Sequence, residues 1–387
     1  MPEVTFSKQE LERYARHLII PDFNIDGQRK LKAGRVLVIG TGGLGAPLLQ
    51  YLAAAGVGHL GIVDFDVVED SNLQRQVLFT THDIGRPKVE VAAERLRAQN
   101  PHIEIATYNT RFTSDNALDI MKGYDVVADG TDNFATRYLV NDAAVLTGIP
   151  NVYASIFRFD GQVSVFNYRK PDGEIGPNYR DMFPEPPPPG LVPNCAEGGV
   201  IGVLPGIVGS LQANEVIKVI TGVGEPLAGR LFLFDALTFQ TKILKVHKEK
   251  TNPLTGDHPT QKDLLKDYES FCGFDPGAEE KPVKEITVQE LLRMKESQAP
   301  FQLIDVREPY EFDIAEMGGQ LMPLGSIEQH INEIESDKQV IVHCRSGVRS
   351  ANAIRLLEKK YGFTNLYNLK GGILAYADEV DTSIAKY

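Results

Sequence analysis

The sequence predicts an α/β protein: a nucleotide-binding, mainly parallel sheet followed by a second, smaller α/β domain. Three observations carry this. Residues 35–45, RVLVIGTGGLG, join a short β-branched apolar run to glycines at 40, 42 and 45 in G-x-G-x-x-G spacing. An apolar helical segment, 46–55, and a second apolar run ending in Asp64 follow at once. From residue 286 onward strand and helix patterns alternate again.

Each part of the first pattern has a physical reason. The run 36–39 reads as a buried parallel strand. Gly40, Gly42 and Gly45 allow a tight turn and close backbone approach to a phosphate, and the helix start offers free N–H groups. Asp64, at the end of the second strand, accepts ribose hydroxyls.

Upstream, residues 7–19 look helical, with Ser7 and Glu10 spaced as a capping box. Arg13 and Arg16 share a face of that helix, which as residues alone reads equally well as a solvated basic face. Downstream of Asp64, residues 66–76 are polar and weakly periodic, a loop or short helix at the ligand-binding edge of the sheet. Pro87 opens a helix over 89–98, so Lys88 projects from a helix start that favours anions. Strands are expected at 102–107, 124–129, 151–155, 161–167 and 231–235, with a turn at 169–173. Asp132 and Asn133 follow the fourth strand, and a helix starts at Phe134.

Residues 171–199 read as irregular, stiffened by PEPPPPG at 184–190. A helix is expected over 200–220. Residues 248–285 are charged, proline- and glycine-containing and weakly periodic, which suggests a linker. The expected division is 1–248, a linker 249–285 and a second domain 286–387.

The whole chain bounds the function. Its 387 residues, 42% hydrophobic, suffice for two or three cores. A formal charge of −12 argues against a nucleic-acid or anionic-membrane partner. No apolar run reaches membrane length, and MPEVTFSKQE is not a signal peptide. Three scattered cysteines are no disulfide framework, so a reducing cytoplasm is expected.

A hydride-transfer site needs only a neutral pocket beyond the pyrophosphate. Here Arg75 and Lys88 supply two cations and Asp132 a carboxylate. That set suits ATP with Mg²⁺ better than NAD.

GTGGLG, VDFDVVEDSNLQRQ, GRPKVE, GTDN and NCAEGGVIGVLPGIVGSLQANEVIK, in this order over residues 7–247, resemble the MoeB/ThiF family, bacterial relatives of the ubiquitin-activating enzymes. The resemblance implies a Rossmann-like adenylation domain acting on a ubiquitin-like sulfur carrier that ends in Gly-Gly. It implies that Gly40, Gly42, Gly43, Gly45, Asp64, Asp66, Ser71, Asn72, Leu73, Gln74, Arg75, Lys88, Asp132 and Asn133 form the ATP site, with Asp132 near Mg²⁺. Arg16 resembles the family arginine that reaches a neighbouring subunit's site, which implies a homodimer. Many relatives hold zinc with two C-x-x-C pairs. The matching places are Asn178/Asp181 and Asn252/Thr255, so no structural zinc is expected.

In the second domain Cys344 ends a strand and precedes a helix, inside the loop Arg345, Ser346, Gly347, Val348, Arg349. Loop N–H groups and the helix dipole stabilise a thiolate there, and His343, Arg345 and Arg349 offer potential positive charge. Cysteine phosphatases span seven residues from Cys to Arg, both included; here Cys344 to Arg349 spans six, a smaller cradle that suits a persulfide. The segments IDVREPYEFDIAEM, VHCRSGVRS and NLKGGILAYA resemble a rhodanese domain, with its usual Gly-His-Ile-Pro-Gly-like turn altered to Ala315–Gly319. Catalysis would then fall to Asp132, Arg75, Lys88 and Arg16 for adenylation and to Cys344 for sulfur transfer, the sulfur coming from a donor such as a cysteine desulfurase. Cys195 resembles a family cysteine that in some relatives forms a thioester or disulfide, and it joins the catalytic set as the residue that resolves a covalent intermediate, with a packing role as the alternative. Cys272 reads as structural. A carrier-docking module with a merely regulatory nucleotide site is the competing reading. The pathway served is open between molybdenum cofactor, thiamine, another cofactor and tRNA thiolation.

Overall fold

The computed structural model describes residues 4–187, 199–272 and 282–387. The chain forms two compact units, Met1–Pro276 and Gly277–Tyr387.

In the first unit strands β1 (Arg35–Ile39), β2 (His59–Asp64), β3 (Glu104–Asn109), β4 (Val126–Asp129), β5 (Asn151–Phe157), β6 (Asp160–Phe166), β7 (Arg230–Asp235) and β8 (Gln240–Lys245) form an eight-stranded sheet. The order is β3-β2-β1-β4-β5-β6-β7-β8. The first five strands are parallel and the last three add antiparallel. The chain leaves β1 toward β2 and β3, then returns to β4 on β1's other side. The carboxyl ends of β1 and β4 therefore flank a crevice, the place where ligands bind in such sheets.

Both faces of the sheet are covered. Val36 and Val38 pack with the helices Gly45–Ala55 and Lys88–Gln99, whereas Leu37 and Ile39 pack with the helix Phe134–Thr147. This period-two alternation of a wholly apolar strand is the signature of a sheet buried on both sides.

Several expectations need correction. The N-terminal helix is broken at Tyr14 into Lys8–Arg13 and Ala15–Leu18. Tyr14 turns inward against Gly56, which has no room for a Cβ there, and Asn100 Nδ2 donates to its hydroxyl at 2.8 Å. The Ser7–Glu10 capping box is present. The helix expected from 200 begins at Leu204. A helix Tyr179–Met182 interrupts the stretch expected to be irregular. The polar helix Asn24–Ala33 and strand β8 have no sequence expectation, because every residue of β8 is exposed and no alternation marks it.

The largest correction concerns the linker. Residues 249–272 are built into the first unit through two polar knots. In one, the four side chains at the places matching the family's C-x-x-C pairs bond each other. Asn178 Nδ2 donates to Thr255 Oγ1 (2.9 Å), and Asn252 Nδ2 donates to Asp181 Oδ1 (2.7 Å) and Asn178 Oδ1 (3.2 Å). Amides, a hydroxyl and one carboxylate, already satisfied by one another, do not fit a tetrahedral zinc site.

In the other knot Arg180 grips the buried Asp142 with two bonds of 2.8 Å. Gln261 Nε2 and the Tyr268 hydroxyl donate to Asp142 Oδ2 at 2.8 and 2.7 Å. Removing one partner of such a pair strands the other charge in the core, at a cost of about 3–5 kcal/mol. Asp142→Ala should lower the first unit's stability by about that amount in urea titrations. It should also expose residues 261–272 to proteolysis and amide exchange.

The second unit is a parallel sheet of β9 (Glu285–Ile286), β10 (Phe301–Asp305), β11 (Gln320–Leu321), β12 (Gln339–His343) and β13 (Leu366–Leu369), ordered β11-β10-β12-β13-β9. Helices Val288–Glu296, Pro309–Ile314, Val348–Tyr361 and Gly372–Glu379 accompany it. β12 is central, and its carboxyl end carries Cys344.

Candidate functional site

In the first unit the glycine turn forms one wall of a cleft. Gly40 has φ +89°, and a Cβ there would meet the Gly130 carbonyl at 3.1 Å. A Cβ on Gly45 would lie 2.0 Å from the Gly40 carbonyl oxygen, so this glycine brings helix and strand together. Thr41, between them, donates from its backbone N–H and its hydroxyl to Asp64 Oδ2 at 2.8 and 2.7 Å. Asp64 Oδ1 takes the Asp66 N–H at 2.9 Å. The carboxylate is thereby locked at the end of β2.

Lys88 is the first residue of its helix, one position earlier than expected, and Pro87 is the cap. Its ammonium is buried and lies 3.1 Å from Asp66 Oδ2. Arg75 Nη1 donates to the Ser71 carbonyl at 3.1 Å, which aims the guanidinium from the short helical turn Asp70–Asn72. Asp132 and Asn133 are exposed on the turn after β4, where Asn133 Oδ1 caps the helix Phe134–Thr147 by accepting from Thr136 N at 2.8 Å.

The cleft thus gathers Gly40, Gly42, Gly43, Asp64, Asp66, Arg75, Lys88, Asp132 and Asn133. Gly45, Ser71, Asn72, Leu73 and Gln74 do not line it. Asn72 instead stays buried, with Oδ1 accepting from Glu69 N at 3.3 Å, which shapes the turn that carries Arg75. Arg16 is exposed and outside the cleft of its own chain.

Sequence reasoning missed Gln76, Thr110, Arg111, Phe112 and Arg137 among the lining residues. A signal existed for the middle three: they follow β3, so they sit on the same carboxyl edge that pointed to Asp64 and Asp132. Arg111 stacks on the Phe65 ring, 4.4 Å from its centroid. Beneath the cleft Asp129 is fully buried, and burial raises its pKa against the lowering effect of Arg137. Cations, N–H donors and two helix starts around a crevice suit a polyanionic ligand with a sugar hydroxyl on Asp64.

In the second unit Cys344 is buried, with 1% exposure. The Gly347 N–H points at its sulfur from 3.1 Å and the Ser350 hydroxyl from 3.5 Å. Gly347 has φ +94° and caps the helix Val348–Tyr361, so the sulfur sits at a helix start. The expected ring of side-chain cations is altered. Arg349 forms a double ion pair with Glu311 at 2.6 and 2.7 Å, which lowers the pKa of that buried acid against its desolvation. Arg345 donates to the Tyr387 carbonyl and stacks on its ring. Ser346 and Val348 are exposed at the loop tip.

His343 is no cation at neutral pH. Burial pushes it down to about 4, against the opposing pull of Asp305 at 3.7 Å. Cys272 is buried too, and burial raises its thiol to about 11, which makes it an inert packing residue. Cys195 lies outside the described residues, as do residues 188–190.

The His343 environment generates a pH dependence. The folded value of about 4 lies below the ordinary 6.5, so between these two values only the unfolded chain takes up the proton. The contribution is whole above pH 6.5 and is lost as pH falls toward 4. Amide exchange of β12 should therefore report roughly 3 kcal/mol less protection at the acid end of that window. His343→Gln should flatten this slope.

The comparisons with known proteins agree with this geometry. The ThiF family matches residues 14–255 and the rhodanese-like domain matches residues 287–379. The chain is 48% identical to the probable adenylyltransferase/sulfurtransferase MoeZ of Mycobacterium tuberculosis, over all of this chain and 97% of that one. It is 56% identical to the sulfur carrier protein adenylyltransferase of Thermus thermophilus, over 69% of this chain and 98% of that one. In fold it is similar to E. coli MccB crystallised with MccA-N7isoASN, with a TM-score of 0.57 at 22% identity, over 65% of this chain and 76% of that one. A nucleotide cleft at the switch point of the first unit, a cysteine loop at a strand end in the second, and relatives matched over the full length lead to one conclusion: the chain belongs to the ThiF family and carries a C-terminal rhodanese-like domain.

Proposed function

We propose that this protein adenylates the C-terminal glycine of a ubiquitin-like sulfur carrier of the MoaD/ThiS type and then converts it to a thiocarboxylate with sulfur held on Cys344. The observation that carries the first half is the convergence of the Gly40–Gly43 turn, Asp64, Arg75, Lys88 and Asp132 on one cleft. Asp64, fixed by Thr41, takes the ribose. Lys88 and Arg75 neutralise phosphate oxygens as charge builds on the leaving pyrophosphate. A carboxylate oxygen of the carrier bonds to the α-phosphorus, the bond from that phosphorus to pyrophosphate breaks, and no proton moves.

Asp132 fits Mg²⁺, which takes one or two carboxylates together with water and phosphate oxygens. When bound, the ion supplies further charge neutralisation on the phosphates. Among the described residues no group of three or more His, Cys, Asp or Glu side chains forms a closed metal cage.

For the second half, a persulfide on Cys344 attacks the acyl carbon and AMP leaves. Two thiols of a reductant then split the resulting acyl disulfide: the first releases the thiocarboxylate and forms a mixed disulfide with Cys344, and the second frees Cys344 as the reductant leaves as a disulfide. A donor such as a cysteine desulfurase reloads the cysteine. Arg16, exposed and remote from its own cleft, suits insertion into the cleft of a second copy, which supports a homodimer. No helix among the described residues is long and apolar enough to cross a membrane, which supports a cytoplasmic setting without a membrane partner. The net charge of −12 speaks against nucleic acid.

Asp132→Ala should reduce carrier-dependent ATP–pyrophosphate exchange by about 100-fold or more while leaving thiosulfate:cyanide sulfurtransferase activity intact. Exchange at the wild-type rate would remove Asp132 from the site. A wild-type chain that binds a Gly-Gly-ended carrier without any exchange would reduce the protein to a docking module. Arg16→Ala mixed with Asp132→Ala should recover part of the lost exchange, since a mixed dimer has one intact site. Loading with a sulfur donor should add one sulfur atom, about 32 Da, to the peptide containing Cys344. The adduct on another cysteine would overturn its role.

A further inference from the structure

The helix Phe134–Thr147 carries a cation where electrostatics disfavour one. Arg137 lies in its first turn, next to N–H groups that already bear positive partial charge and favour acids. It is also buried, with 6% exposure. A buried guanidinium is costly unless its donors are met. Here Nη2 donates to the Thr131 carbonyl at 3.3 Å, and Nε has no hydrogen bond among the described residues. Its electrostatic partner Asp129 does not cap it. Asp129 Oδ1 takes the Thr131 N–H and hydroxyl at 2.9 and 2.6 Å, and Oδ2 has no hydrogen bond among the described residues. The rings of Tyr153 and Phe134 flank the guanidinium at 5.3 and 5.6 Å, and the Tyr179 phenol oxygen is one further hydrogen-bond partner, which leaves other N–H donors of the fork unused. The position is thus unfavourable by helix dipole and by burial, and it keeps donor capacity in reserve.

A separate observation says for what. Beside the nucleotide cleft lies a second cavity of about 680 Å³, walled by Tyr153, Ser155, Gln162, Phe183, Leu233 and Phe234. Among the described residues Arg137 alone lines both. A guanidinium fork matches a carboxylate with two parallel N–H···O bonds. We infer that Arg137 receives the terminal carboxylate of the carrier tail as it arrives through the second cavity, and presents that group to the α-phosphate. This rests on the adenylation reading above and names the residue that reads the acid end of its substrate.

The chemistry makes the hold selective in time. The free carboxylate is an anion that has left water, and Arg137 compensates it. Once its oxygen has bonded to phosphorus and pyrophosphate has left with the electron pair of the broken bond, the acyl group is neutral and the arginine's grip on it lapses. Binding is therefore strongest for the group that must react.

The test uses the full-length protein and a MoaD/ThiS-type carrier in two forms, one with a free terminal glycine carboxylate and one with that glycine amidated. Calorimetry should show the wild type preferring the acid by about 10–100-fold, the range of a charge-assisted bond pair. Arg137→Met should bind both forms with one weak affinity. Arg137→Lys, which keeps the charge without the fork, should raise the carrier KM in pyrophosphate exchange and leave the ATP KM unchanged, with partial recovery relative to Met. ATP affinity of each variant checks that the cleft is folded, and Arg137→Lys serves alone if Met unfolds it. Equal wild-type affinity for acid and amide would overturn the inference. So would acid preference surviving in Arg137→Met, or a raised ATP KM with the preference kept, which would assign the guanidinium to phosphate. A wild-type protein that exchanges pyrophosphate yet ignores the amide change loses only this inference. One that neither binds the carrier nor exchanges loses the adenylation reading with it.

Discussion

The contact between Gly45 and the Gly40 carbonyl oxygen governs the first unit. A Cβ at position 45 would lie 2.0 Å from that oxygen, so any other residue would push the helix Gly45–Ala55 off the end of β1. Much depends on this approach. It sets the helix start beside the crevice between β1 and β4 and leaves Thr41 where both its N–H and its hydroxyl reach Asp64. The same turn rests on Gly130, so the loop that leads to Asp132 is placed by backbone contact. One close approach therefore positions the glycine wall of the cleft, Asp64 and the carboxylate after β4.

The two units handle charge in different ways. The cleft gathers side-chain cations, Arg75, Lys88 and Arg111, each steadied by a carbonyl, a carboxylate or a ring. The cysteine loop directs a backbone N–H and a hydroxyl at sulfur, while nearby arginines are tied to Glu311 and Tyr387. The difference suits the ligands proposed for the two units. A polyphosphate has many oxygens to neutralise, whereas a single sulfur is a soft, compact anion that one N–H and a helix start stabilise.

Polar side chains also replace what a metal does elsewhere in the family resemblance. Asn178, Asp181, Asn252 and Thr255 hold the far segment by hydrogen bonds, and Asp142 with Arg180 and Tyr268 locks it again nearby. Such knots keep buried polar groups satisfied, which is the condition for leaving them in a core.

The sequence alone determined what depends on local order. The β-branched run, the glycine spacing and Asp64 at the end of the next strand are legible because strand period, turn sterics and helix start act within a few residues. Cys344 before a glycine-containing helix start is legible for the same reason, and so is the division into two α/β series. The tertiary structure alone decided what depends on partners distant in the chain. Arg137 reads as an ordinary helical arginine until burial and two cavities meet at it. Residues 249–272 read as a linker because their apolar pattern is weak, and their hold is a set of bonds to residues about position 142 and 178–181. His343 reads as a cation beside the thiol until burial strips its proton, and Arg349 as a cradle residue until Glu311 claims it. Charge state and pairing are set by what folds around a side chain, and no short stretch of sequence carries that information.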